Sequence, residues 1–90
     1  MVIVWDPAKA KSNFDKHGIA FSDAEPVLFD PYALTIEDER EDDEQRFVAL
    51  GLDALGRILV VVYTYREQAV RLISVRSATR GERRAYETGI

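Results

Sequence analysis

Hydrophobic and polar positions along the chain switch between two periods, and the switches mark out alternating strands and helices. Val2 to Trp5 is a short apolar run that predicts an opening strand. Asp6-Pro7 then starts a helix, since the aspartate can accept from free backbone N–H groups and proline fits the first helical position. Ala10, Phe14 and His17 fall on one helical face, and Gly18 offers a left-handed exit. Ser22 and Glu25 have capping-box spacing, which predicts a second, short helix with Ala24, Val27 and Leu28 turned inward. Pro26 removes one hydrogen bond from it, and Asp30-Pro31 ends it. Arg46 to Leu52 alternates as a strand, and Asp53 to Gly56 is a turn. Arg57 to Tyr65 is nearly continuous in Ile, Val and Tyr, the pattern of a central strand covered on both faces. A turn over 66–69 leads to a strand from Val70 to Arg76, and Thr79 caps a last helix reaching about Glu87. The expected order is β-α-α-β-β-β-α: an α+β fold with an antiparallel sheet packed by helices.

Ninety residues, 47% of them apolar, suffice for a single domain over 1–90, with no repeat or linker. The longest apolar run, Ile58 to Tyr63, is far shorter than the roughly 20 residues a membrane helix needs. A soluble, cytoplasmic protein with no membrane contact is therefore expected. The absence of cysteine rules out disulfides, thiolate nucleophiles and cysteine-ligated zinc. His17 is the one histidine, so a paired-histidine mechanism is ruled out as well. The formal net charge of −4 argues against a nucleic-acid partner until it is divided along the chain. Seven acids lie between Glu37 and Glu44 with only Arg40 among them, which reads first as a solvated loop. Seven arginines lie from Arg57 to Arg84 against only Glu67 and Glu82, so the C-terminal half can bind RNA locally.

Three stretches carry a resemblance. They are Trp5-Asp6-Pro7-Ala8-Lys9-Ala10 with Asn13 and Lys16-His17-Gly18-Ile19-Ala20-Phe21; the acidic segment running into Glu44-Gln45-Arg46-Phe47 and Gly51; and Val70 to Arg80 followed by Glu82-Arg83-Arg84 and Tyr86-Glu87. Together they resemble the BrnT family of ribonuclease toxins over nearly the whole chain. Val75 and Ser77 depart from it, standing where the family usually shows Ala and a basic residue. The resemblance implies a RelE-like fold, RNA cleavage without a metal or other cofactor, and inhibition of translation and growth. It also implies a BrnA-like antitoxin encoded beside the toxin, DNA binding only through that antitoxin, and a toxin homodimer within the larger complex as one arrangement.

Cleavage of RNA by its own 2′-hydroxyl requires removal of that proton, stabilisation of the phosphorane charge and protonation of the leaving oxygen. Arginine suits the second task, because its fork pairs with phosphate oxygens and stays charged. Tyr86, Lys16, Glu82 and Glu87 are available to share proton transfer with His17. A hairpin around 66–70 places Tyr65 opposite Arg71 and Arg76 near Val60, so Arg66 and Arg76 lie about 20 Å apart. Two patches follow. Arg57, Arg76 and Arg80 form the first, facing Tyr86 as basic residues face a tyrosine in RelE-like toxins; with Lys16 and His17 they are the candidate catalytic set. Arg46, Arg66 and Arg71, beside Tyr63 and Tyr65, form the second, for RNA binding or for ion pairs with Glu41, Asp42, Asp43 and Glu44.

Plainer readings stand beside these. His17 before Gly18 suits a helix end, where the helix dipole favours a cation, and Lys16 suits a solvated lysine. Trp5, Phe14, Phe21 and Phe29 read as core aromatics before they read as base-stacking platforms. Arg83 and Arg84 solvate the last helix or bind the antitoxin, and Tyr86 serves packing or chemistry. The acidic net charge and the lack of an obvious acid–base pair keep two alternatives open: an antitoxin-binding co-repressor module without catalysis, and an RNA-binding protein that blocks translation without cutting.

Overall fold

Strand β4 (Ile58–Arg66) is the chain's richest run of β-branched residues, and it lies at the centre of a five-stranded sheet. The structure is a computed structural model that describes residues 1–38 and 45–89. In chain order its elements are β1 (Val2–Val4), α1 (Pro7–His17), a 3-10 turn (Phe21–Ala24), α2 (Glu25–Phe29), β2 (Leu34–Asp38), β3 (Arg46–Leu52), β4, β5 (Ala69–Ser77) and α3 (Arg80–Thr88). The spatial order of strands is β1-β5-β4-β3-β2. Neighbours are antiparallel except β1 and β5, which are parallel.

Two expectations are corrected here. The sheet has a strand beyond the four expected: Leu34–Asp38 pairs with β3 from Leu34↔Leu50 to Asp38↔Arg46. Only Leu34 and Ile36 mark its alternation, and the acids that follow hide it. The sheet is also mixed rather than wholly antiparallel, because β1 enters along the outer edge of β5. The rest of the acidic segment, with the ion pairs expected of Glu41, Asp42, Asp43 and Glu44, lies outside the described residues.

The core occupies one face of the sheet, where the connection after α1, the 3-10 turn and α2 supply Ile19, Phe21, Ala24 and Val27 against Ala49, Leu59, Val61, Tyr63, Val70, Leu72 and Val75. Asp6 caps α1 by accepting from the Ala8 N–H, and Gly18, at φ 72°, ends it. Ser22 makes no capping bond: the chain passes through the 3-10 turn directly into α2. Pro26 therefore sits in the first turn of α2, where a missing N–H costs nothing. Phe21 is core as expected, but Phe14 and Phe29 are more than half exposed and Trp5 meets Phe21 edge-on at its rim.

Register decides which side chains share a face. Glu67 and Gln68, both at positive φ, make a two-residue turn that pairs Arg66 with Ala69. Tyr65 then faces Val70, and Arg71 faces Thr64, one position off the expected pairing. A bulge between Val62 and Tyr63 restores the expected register beyond it, and Val60 pairs with Arg76. Leu34, Leu50, Val60 and Arg76 thus form one cross-strand row on the face turned away from the core cluster, and Ile36, Val48, Val62 and Ser74 form the next.

Candidate functional site

Helix α1 buries a polar residue where an apolar one was expected. Asn13 is 7% exposed, whereas Phe14 is 53% exposed. The amide of Asn13 accepts from the Val75 N–H at 3.0 Å and donates to the Val75 carbonyl at 2.9 Å and the Ile19 carbonyl at 3.2 Å. This pins one stripe of α1 along the outer edge of β5, beyond the reach of β1. Lys9, Ser12, Asn13, Lys16 and His17 follow i, i+3, i+4, i+7, i+8 spacing, the signature of a single helical face. With Ile73 and Ser74 of β5 they line a groove of about 250 Å³.

Among the described residues that groove carries two lysines, a histidine and two hydroxyls, and no carboxylate. The side chains of Lys9, Lys16 and His17 make no hydrogen bond or ion pair among the described residues, whereas Lys11 on another face of α1 is paired with Asp15 at 3.0 Å. The two basic residues of the last turn, Lys16 and His17, also sit at the negative end of the helix dipole. Ser74 connects the groove to the open sheet face: it lies on that face with Arg76, about 7 Å along the strand, and with Arg71, about 10 Å the other way.

The first expected patch does not assemble. Arg57 follows the alternation of Leu59 and Val61, on the core side of the sheet. Its guanidinium meets Asp53 at 2.7 Å and Asp23 at 2.8 Å, and these two carboxylates hold it still more firmly protonated. Arg76 faces the opposite side and forks onto both oxygens of Glu82 at 2.8 and 2.9 Å. That pair, assisted by the Thr79 cap against a smaller cost of burial, draws the Glu82 carboxyl down to about 2. Arg80 opens α3 on the surface. The Tyr86 hydroxyl donates to Asp30 at 2.5 Å, and this bond, helped by burial, pushes the phenol up to about 12. Burial alone would raise Asp30, but bonds from Tyr86, Leu52 and Tyr32 outweigh it and leave the carboxyl lowered. A phenol engaged in this way ties α3 to the end of α2.

The second patch divides as well. Arg46 and Arg71 lie on the open face, at the level of Asp38 and Thr64. Tyr63 and Tyr65 are on the core face, stacked around Phe47 with ring centroids 5.4–5.8 Å apart. Arg66 is exposed at the hairpin end.

Comparison with known proteins settles the family. A family model for the ribonuclease toxin BrnT of type II toxin–antitoxin systems matches residues 5–82. The chain belongs to the BrnT ribonuclease toxin family. The crystal structure of the ribonuclease toxin BrnT of Brucella abortus is similar to it with a TM-score of 0.69 and 31% identity, covering 89% of this chain and 99% of that one. No curated protein matches the chain. The BrnT model ends at Glu82, so most of α3, with Arg83, Arg84 and Tyr86, lies beyond it. Among the described residues no three of His, Asp and Glu come together to hold a metal, and no helix is long and apolar enough to cross a membrane.

Sequence reasoning named Lys16 and His17 as candidates but not Lys9, Ser12, Asn13 and Ser74, which line the same groove. The signal was present in α1: five positions at helical spacing, all of them hydrogen-bonding and none acidic.

Proposed function

We propose that this chain is an endoribonuclease toxin that cleaves RNA without a metal, and that the groove between α1 and β5 is where the scissile phosphodiester sits. The observation that carries this reading is the composition of the groove: Lys9, Lys16 and His17 with Ser12 and Ser74, and no acid among the described residues that line it. His17 is the proton-transfer group, since imidazole is the side chain that changes charge near neutral pH. Lys16 and Lys9 balance the charge that builds on the phosphorane. Arg71 and Arg80 steer the flanking backbone, joined by Arg46 and Arg66 along the open face, while Arg76 is held by Glu82. Arg57 and Tyr86 serve the fold instead. The scaffold is RelE-like, and the partner is a BrnA-like antitoxin that silences the enzyme and brings DNA binding to the complex. Growth arrest through lost translation follows from the RNA cleavage.

Attack by the 2′-hydroxyl breaks the bond to the 5′-oxygen and leaves a 2′,3′-cyclic phosphate and a 5′-hydroxyl. Partner-free protein incubated with cellular RNA in EDTA should therefore yield fragments with those ends. RNA left intact by folded protein would refute the enzyme reading and favour a binding module.

A further inference from the structure

We infer that Asn13 is a positioning residue for RNA cleavage, holding Lys16 and His17 in register with Ser74 by standing in for a missing strand. The inference rests on the groove being the catalytic site. Strand β1 covers β5 only from Ala69 to Arg71, so beyond Arg71 the outer edge of β5 has no neighbouring strand among the described residues. Val75 is fully buried there, and an unpaired N–H or carbonyl at such a depth is costly. A side-chain amide carries the same donor and acceptor as a peptide group, and Asn13 uses both on Val75 as one rung of a ladder would. Its second N–H reaches the Ile19 carbonyl, past the left-handed exit at Gly18. The two attachment points therefore bracket the segment from Lys16 to Gly18, and the basic pair moves only if one of them opens.

Of the amide's four hydrogen-bonding sites three are filled by backbone. Asn13 is accordingly engaged by the protein and acts on substrate through its neighbours. Aspartate at this position would present lone pairs to two carbonyls, and alanine would leave both groups of Val75 unmet.

The test is a double-variant cycle in steady-state RNA cleavage: wild type, Asn13→Ala, His17→Ala and the two combined, each first shown folded by near-ultraviolet circular dichroism and a cooperative melt. The expected result is a fall in kcat of roughly 10- to 100-fold for Asn13→Ala, with KM within about threefold. The combined variant should lose less than the product of the two single losses, because Asn13 acts in part through His17. Unchanged kcat in folded Asn13→Ala, or losses that multiply in the combined variant, would overturn the inference while leaving the groove as the site. Full activity of His17→Ala would overturn both, so the two failures are distinguishable. If Asn13→Ala does not fold, Asn13→Ser, which keeps one hydroxyl donor and acceptor, enters the same cycle with the same readings.

Discussion

At the scale of single residues, the charged groups with the most eye-catching sequence positions prove to be the most occupied. Asp53, whose side chain is 1% exposed, accepts from the Leu55 and Arg57 N–H groups and from the Arg57 guanidinium, so the turn before β4 is built around one carboxylate. Replacing it with alanine should cost about 2–3 kcal/mol, since it strands a half-buried arginine and two turn amides. A lowered urea midpoint with an unchanged slope would show it. Gly51 illustrates the steric counterpart: a Cβ there would stand 3.1–3.2 Å from Val27 and Asp30. Gly51→Ala should destabilise by about 1–3 kcal/mol, measured the same way. Neither contact was legible in the sequence, where Arg57 is one of nine arginines and Gly51 a glycine in a strand. What had to be known was which residues from elsewhere in the chain meet them.

At the scale of elements, α3 has no fully buried residue and is held by polar anchors, Arg76–Glu82 at its start and Tyr86–Asp30 near its end. The Glu82 carboxyl is lowered from 4.5 to about 2 by that pairing. Its stabilising contribution is therefore full above about 4.5 and is lost as pH falls toward 2. Thermal melts should show Glu82→Gln less stable than wild type at pH 6, with the gap closing over that acid range; a gap independent of pH would contradict the anchor. The start of this helix was legible from Thr79, because a cap is local, and the structure adds the second bond of a capping box, from the Thr79 N–H to Glu82. The central strand was legible from its unbroken apolar run. The register of the β4–β5 hairpin was not, because Glu67 and Gln68 are unusual residues for a turn at positive φ and the bulge at Val62/Tyr63 leaves no mark in the sequence. One position of error put Tyr65 beside Arg71, when the two lie on opposite faces.

At the scale of the whole molecule, a chain with net charge −4 belongs to a family of ribonuclease toxins. The apparent conflict dissolves once the pairing of charges is considered. Arg57 and Arg76 are neutralised by Asp53, Asp23 and Glu82 within the fold, while Lys9, Lys16 and His17 remain unpaired among the described residues along one groove. Local potential at the substrate, and not the sum over the chain, governs phosphate binding. The central claim, that the α1–β5 groove holds the reacting phosphodiester, is tested most directly by comparing RNA cleavage rates of four folded variants at one RNA concentration. Lys16→Ala and His17→Ala should each lose about 100-fold or more, while Arg57→Lys and Tyr86→Phe stay within about threefold of wild type. Loss of cleavage in the second pair with full activity in the first would contradict the account and move the site out of the α1–β5 groove.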